Sequence, residues 1–209
     1  MSGAPRWGLV VPVKPAAVGK SRLAVDGVDR VALARAIALD TIAAAAPADT
    51  VAQVVVVTDD ALLPVLAVDI PGLRFVAEGD AKGLNAAVAE GARQIEGMPR
   101  AALLGDVPAL RPADLDAALG KAAAVERGAV ADASGTGTTL VTAAAGVPWA
   151  SHFGPGSFAA HVAEGFTPLE VPAASTLRHD VDTAEQLAAA VALGIGPRTA
   201  ALLRQAAYL

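Results

Sequence analysis

The chain has no cysteine among its 209 residues. Disulfides, thiolate metal sites and a cysteine nucleophile are therefore excluded, whereas metals held by oxygen ligands stay open. It also lacks a cationic excess: 16 Lys and Arg stand against 21 Asp and Glu, giving a formal charge of −5 and a pI near 5.1. Nucleic-acid affinity rests on neutralising phosphates with clustered basic side chains, so no nucleic-acid partner is expected and the anions bound should be small. Long hydrophobic runs are missing too. Hydrophobic residues make up 54% and mean hydropathy is +0.50, yet alanine supplies much of this and no stretch approaches the ~18 uninterrupted apolar residues of a membrane span. After Arg6, the apolar stretch Trp7 to Val13 is interrupted by Pro12 and closed by Lys14, too short for a secretory segment. These features predict a cytoplasmic protein with no membrane partner, and the length fits a single domain over residues 1–209.

What is present alternates between two periods. Trp7 to Val13 reads as a first strand, and a helix over Asp29 to Ala46 carries Val31, Leu33, Ala34, Ile37 and Ala38 at helical spacing, with Asp29 as N-cap and Pro47 as stop. Gln53 to Val57 is a continuous β-branched strand of the kind buried in parallel sheets, ending in the polar Thr58-Asp59-Asp60. A weaker strand over Leu73 to Ala77 precedes a helix from Asn85 to about Ile95, and Ala101 to Leu104 is a further buried strand. Pro112 suits a first helical turn, predicting a helix to about Arg127. Ala129 to Ala133 and Thr138 to Ala145 read as two strands, Val171 as the close of a short one, and helices follow His152-Phe153-Gly154-Pro155-Gly156-Ser157, Thr183 and Pro197. This rhythm is that of an α/β domain with a mostly parallel, Rossmann-like central sheet flanked by helices.

Chemistry concentrates at strand ends. Leu103-Leu104-Gly105-Asp106-Val107-Pro108 is an apolar run that stops at an aspartate and turns at a proline, so Asp106 falls on the carboxyl rim where open α/β sheets bind ligands. A second acidic cluster, Asp180-Val181-Asp182-Thr183, precedes a helix. After the first strand come Lys14, Lys20 and Arg22, three cations suited to phosphate oxygens. Gly19-Lys20-Ser21 is not a P-loop, because Lys14 stands where that motif requires its first glycine. The turn Ser134-Gly135-Thr136-Gly137 reads either as a hairpin connection or as a nest of N–H groups for an anion, and the Gly156-Ser157 helix start as a cap or a second anion site.

Five separated motifs, taken together, resemble the guanylyltransferases of deazaflavin coenzyme (factor 420) biosynthesis: Pro12-Val13-Lys14 with Lys20-Ser21-Arg22-Leu23, Gly83-Leu84-Asn85, Gly105-Asp106-Val107-Pro108, Gly135-Thr136-Gly137-Thr138, and Asp180-Val181-Asp182-Thr183. The His152 to Ser157 segment adds to them, and the resemblance covers nearly the whole chain. It implies a nucleotidyltransferase fold shared with molybdenum-cofactor and sugar nucleotidyltransferases, and transfer of GMP from GTP to phosphoenolpyruvate or 2-phospho-L-lactate with release of pyrophosphate. It implies Mg²⁺ on Asp106 and Asp182, with Asp180 as the alternative in the second cluster. By the same resemblance Lys14, Lys20 and Arg22 meet the GTP phosphates, Gly83 and Asn85 lie against the nucleoside, and Thr138, Gly154 and Ser157 hold the acceptor's carboxylate.

A phosphate monoester is already anionic at neutral pH, so no general base is needed and His152, His161 and His179 read as structural. Heavy use of alanine, valine, arginine and glycine resembles the family's actinobacterial members, which implies phosphoenolpyruvate as acceptor and hand-off of a labile product to the transferase that loads the deazaflavin. A molybdopterin or sugar-phosphate nucleotidyltransferase and a non-catalytic nucleotide-binding module are the rival readings.

Overall fold

A computed structural model of the chain describes residues 5–16, 23–80 and 83–208. Seven strands form one sheet: β1 (Trp7–Pro12), β2 (Val51–Val57), β3 (Leu73–Val76), β4 (Arg100–Leu103), β5 (Arg127–Ala131), β6 (Thr138–Ala143) and β7 (Thr167–Pro168), in the spatial order β3-β2-β1-β4-β6-β5-β7. β6 runs antiparallel to both its neighbours, and every other pairing is parallel. The helices are α1 (Arg30–Ala45), α2 (Leu63–Leu66), α3 (Leu84–Arg93), α4 (Pro112–Ala122), α5 (Ser157–Ala163), α6 (Ala184–Leu193) and α7 (Pro197–Gln205), with a 3-10 turn at Thr176–Arg178.

Strand periodicity explains the layering. Val54 and Val56 of β2 pack with Leu9 and Val11 of β1, Leu39 and Ile42 of α1, and Leu115 and Leu119 of α4, on one face. Their neighbours Val55 and Val57 pack with Val10 of β1 and with Ala87, Val88 and Ala92 of α3, on the other. Successive side chains of a strand point to opposite faces, so a run of valines with no polar alternation is what a sheet covered on both sides requires. A third apolar cluster joins Leu33 and Ile37 of α1 to Leu187 and Ala190 of α6, Leu203 of α7, and Val181. No single helix among the described residues is long and apolar enough to cross a membrane.

Helix starts follow the local signals. Asp29 caps α1 by accepting from the Ala32 N–H at 2.6 Å, and Pro112 opens α4. Thr183 and Gln186 form a reciprocal capping box on α6. The helix expected from Pro112 to Arg127 instead stops at Ala122, because Arg127 begins β5. Alanine-rich sequence favours helix throughout this stretch and offers no stop signal. The non-local pairing of β5 between β6 and β7 decides the boundary. The short final strand is Thr167–Pro168, so Val171 does not close it, and α2 has too few turns to give a periodic signal.

Two buried groups of α1 fix its surroundings. The Asp40 carboxylate accepts from the main-chain N–H groups of Arg198 and Thr199 at 3.1 and 2.7 Å, capping α7 from a distance of almost the whole chain. The Thr41 hydroxyl donates to the Ile37 carbonyl at 2.9 Å and accepts from the Val107 N–H at 3.0 Å, tying the loop after β4 to this helix. Both Thr41 and Val107 are fully buried. Thr41→Val keeps the shape and leaves that N–H unsatisfied, which should cost roughly 1 to 3 kcal/mol, read as a lower urea midpoint at unchanged slope. An unchanged midpoint would show that another group satisfies Val107.

Candidate active site

Strand order reverses between β1 and β4, and a cavity of about 670 Å³ opens at their carboxyl ends. This is the topological switch point at which open α/β sheets bind ligands. Its wall includes Lys14 after β1, Gly105 and Asp106 after β4, Thr138 at the start of antiparallel β6, Gly154 and Ser157 at the start of α5, and Asp180 and Asp182 before α6. Most of the residues selected from sequence therefore meet in one place.

Gly105 is required where the loop leaves β4, because a Cβ there would lie 2.9 Å from the Pro12 carbonyl oxygen. Asp106 follows, and its main-chain carbonyl accepts from the Val181 N–H at 2.9 Å. Val181 is fully buried among α1, α6 and α7, while Asp180 and Asp182 on either side of it are half-buried. Val181 is thus turned into the apolar cluster while Asp180 and Asp182 on either side of it line the cavity. Arg178 holds the preceding turn by donating to the carbonyls of Ala131 and Asp132, and Gln186 accepts from the N–H groups of Asp182 and Thr183 at 2.8 and 3.0 Å.

As a result, carboxylate oxygens of Asp106, Asp180 and Asp182 all lie within 4.8 Å of one another. Burial, followed by the charges of Asp106, Asp132 and Asp182, pushes the Asp180 carboxyl up to about 7. Such crowding disfavours three simultaneous negative charges. An oxygen-only donor set of this kind fits a hard divalent cation, which takes one or two carboxylates and fills its remaining positions with water or phosphate oxygens. The geometry brings Asp180 into the cluster together with Asp182, although its raised pKa makes it the poorer anionic ligand near neutral pH.

On the opposite side of the acidic cluster's chemistry are a cation and a set of neutral donors. Lys14 is exposed and lines the cavity. The main chain just after it is anchored by Asp60, at the end of β2, whose carboxylate accepts from the Ala16 N–H at 3.2 Å and pairs with Arg35 at 2.9 Å. Burial acts to raise the Asp60 carboxyl, but the Arg35 side chain and the Ala16 and Leu62 N–H groups together hold it below the usual carboxylate value. Lys20 and Arg22 lie outside the described residues.

The turn between β5 and β6 is a hairpin, and the Gly135 N–H within it donates to the Asp132 carbonyl at 3.2 Å. Thr136 N–H donates to Asp132 Oδ1 at 3.0 Å, and the Ser134 hydroxyl donates to the same carboxylate. Gly137 is needed there because a Cβ would sit 2.6 Å from Asp132 Oδ2. Of the two readings of Ser134–Gly137, hairpin or anion nest, the hairpin is the one observed, and the Asp132 carboxylate takes up its Thr136 N–H. Asn85 lies inside α3, and neither it nor Gly83 is among the cavity-lining residues, whereas Leu84 between them is. The Asn85 amide donates to the Phe153 carbonyl at 2.9 Å and accepts from the Phe153 N–H at 2.8 Å. It is a clamp on the loop that carries Gly154.

Sequence reasoning passed over Asp60, Asp132, Gln186 and the role of His161. Gln186 had a legible signal, three residues after the capping threonine; Asp132 and Asp60 had only their positions just past strands. His161 is buried, accepts from the His152 main-chain N–H at Nε2 (2.9 Å) and contacts the Thr138 hydroxyl through Nδ1 (3.1 Å). Ser157 donates to that same hydroxyl at 3.1 Å.

Comparison with known proteins adds identity to this geometry. The family model described as "Guanylyl transferase CofC like" matches residues 8–208. The phosphoenolpyruvate guanylyltransferase of Thermomonospora curvata is 49% identical over 94% of the chain and 88% of its own length. That of Streptomyces scabiei is 49% identical over 94% of the chain and 95% of its own. Among solved structures, a candidate nucleotide-diphospho-sugar transferase from Desulfovibrio desulfuricans superposes with a TM-score of 0.67 at 17% identity, covering 96% of this chain and 97% of that one. A nucleotidyl transferase from Methanothermobacter gives 0.56 at 17% identity, over 97% and 100%. The structural likenesses establish the nucleotidyltransferase-like fold.

Two outcomes are expected of the site itself. Adding Mn²⁺ or Mg²⁺ at a hundredfold excess over Kd should stabilise the protein by about 2.7 kcal/mol, an effect that Asp106→Asn and Asp182→Asn should abolish and Asp180→Asn only weaken. The reverse ranking of Asp180 and Asp182 would reassign the ligands. Asp60→Asn should lower the urea midpoint at pH 7. A carboxyl depressed in the folded state stabilises above its unfolded value and loses that contribution as pH falls through the folded one, so the gap to the unsubstituted protein should close below pH 3.8. A gap that persists in acid would mean that the Asp60 charge contributes nothing.

Proposed function

This chain belongs to the CofC-like guanylyl transferase family, and we propose that it transfers GMP from GTP to phosphoenolpyruvate, releasing pyrophosphate, in deazaflavin coenzyme biosynthesis. What supports the reading is that one cavity is lined both by the Asp106, Asp180 and Asp182 cluster and by Thr138, Gly154 and Ser157, at the switch point of the sheet. Relatives named phosphoenolpyruvate guanylyltransferase, at 49% identity over most of the chain, favour that acid over 2-phospho-L-lactate.

In the proposed reaction an oxygen of the acceptor's phosphate attacks the α-phosphorus of GTP. The new P–O bond forms as the bond from the α-phosphorus to the bridging oxygen breaks, and pyrophosphate departs with that oxygen's electron pair. A phosphate monoester with a second pKa near ~6 is already anionic at neutral pH, so no side chain has to remove a proton. The obstacle is repulsion between two anions. Lys14, together with Lys20 and Arg22, is assigned to the triphosphate, where charge-assisted contacts offset that repulsion. Asp106 and Asp182, with Asp180 beside them, would hold Mg²⁺, which when bound would neutralise charge on the phosphates and the departing pyrophosphate. Thr138, Gly154 and Ser157 are assigned to the acceptor. Asn85 serves them indirectly, since its amide fixes Phe153 next to Gly154, and Gly83 opens the helix beside the nucleoside. The product, an enol phosphate joined to GMP, is labile, and hand-off to the transferase that loads the deazaflavin completes the proposal.

Mixing the protein with GTP, Mg²⁺ and equal amounts of phosphoenolpyruvate and 2-phospho-L-lactate, with pyrophosphate and conjugate mass as readouts, tests this. The phosphoenolpyruvate conjugate is expected to predominate. Predominant phospholactate conjugate would overturn the acceptor, and absence of either conjugate the whole assignment.

A further inference from the structure

His161 is read from sequence as structural, yet its hydrogen bonds have a direction. The His152 main-chain N–H can only donate, and it donates to Nε2 at 2.9 Å. A neutral imidazole carries one proton, so that proton must sit on Nδ1. The ring is neutral at pH 7: burial among Phe153 and Phe166, followed by the neighbouring His152, pushes it down to about 4. Nδ1 is therefore the donor in its 3.1 Å contact with Thr138 Oγ1, sharing its one proton with the Ser157 main-chain carbonyl.

The Ser157 hydroxyl also donates to Thr138 Oγ1, at 3.1 Å. A hydroxyl offers two acceptor lone pairs and one proton. With both lone pairs of Thr138 occupied, its own proton is the only hydrogen-bonding capacity left, and no acceptor for it exists among the described residues. Thr138 is 2% exposed and lines the cavity, as does Ser157. A buried hydroxyl proton without a protein partner is costly unless a ligand accepts it.

We infer that His161 is a positioning residue for the phosphorylated acceptor: locked as the Nδ1-protonated tautomer by the His152 main chain, it acts with Ser157 to turn the Thr138 proton toward an anionic oxygen in the cavity. Of the two hydroxyls, Thr138 is the one that presents a proton to the ligand, while Ser157 directs it. The identity of that oxygen, a carboxylate or phosphate oxygen of phosphoenolpyruvate, rests on the proposed function. The tautomer and the direction of the relay do not.

A cycle of Thr138→Val, His161→Gln and the double variant tests the relay, with kcat and KM measured separately for phosphoenolpyruvate and GTP. Glutamine retains an acceptor near the Nε2 position and lacks a donor at the Nδ1 position. Thr138→Val should raise KM for phosphoenolpyruvate roughly ten- to hundredfold, the range of a hydrogen bond to a charged group, with KM for GTP unchanged. His161→Gln should move the same parameter, and should add nothing in the Thr138→Val background. His161→Asn, which can place an amide N–H where Nδ1 stood, should recover most of the loss. Additive effects, or equal damage to both substrates, would overturn the relay in favour of a packing role. If the unsubstituted protein turns over neither acid, the proposed function fails, and ¹⁵N spectra of the His161 imidazole in the free protein decide the relay alone: Nδ1-protonated is expected, and an Nε2-protonated ring refutes it.

Discussion

The site depends on one main-chain hydrogen bond, from the Val181 N–H to the Asp106 carbonyl. Net, such a bond contributes only about 1 kcal/mol, but it sets the register between two loops that are otherwise far apart in the chain. Around it, Thr41 of α1 holds Val107, the Gly196 N–H donates to the Pro108 carbonyl at 2.8 Å, and the Val181 side chain is sealed between α1, α6 and α7. The loop from Asp106 to Pro108 is thus held by three different parts of the molecule. None of these contacts uses the acidic side chains, so the carboxylates are brought together by apolar packing and backbone bonds against their mutual repulsion.

That repulsion is concentrated where the three carboxylates meet. There, Asp106, Asp180 and Asp182 crowd within 4.8 Å, and Asp180 is pushed up to about 7 as burial and like charges disfavour its ionised form. The wall at Thr138 and Ser157 is of a different kind: buried hydroxyls and a neutral imidazole, with no formal charge among them. Two anionic substrates need both. In the proposed reaction a divalent cation and basic side chains would act on the triphosphate, where charge must be offset, whereas oriented neutral donors would bind a second anion without competing for that cation. In the β5–β6 turn the Asp132 carboxylate takes up the Thr136 N–H, which is therefore not left for an anion.

Local signals made much of the fold legible. The unbroken valines of β2 announced a strand covered on both faces, Asp29 and Thr183 marked helix starts, and the apolar run into Gly105-Asp106 placed a carboxylate on the sheet's rim. Where local propensity had no competitor in the sequence, the reading ran past the boundary: alanines after Ala122 continue a helical pattern that pairing of β5 with β6 cuts off. The partners of the Ser134–Gly137 turn and of Asn85 were not legible in the sequence for a related reason. Both looked like available hydrogen-bonding groups, and each has a partner within the protein, Asp132 for the turn and Phe153 for the amide.

By itself the sequence determined which residue types sit at strand ends, the alternation of strands and helices, and the exclusion of thiol chemistry, since these follow from composition and from periods of two and about 3.6 residues. The tertiary structure decided which of those residues meet. That Asp180 joins Asp106 and Asp182 within 4.8 Å, that a turn's N–H group closes on Asp132, and that His161 has a fixed tautomer are all consequences of partners brought together in space and of burial. Desolvation and non-local hydrogen bonds set charge state and proton direction, and neither has a signature in local spacing.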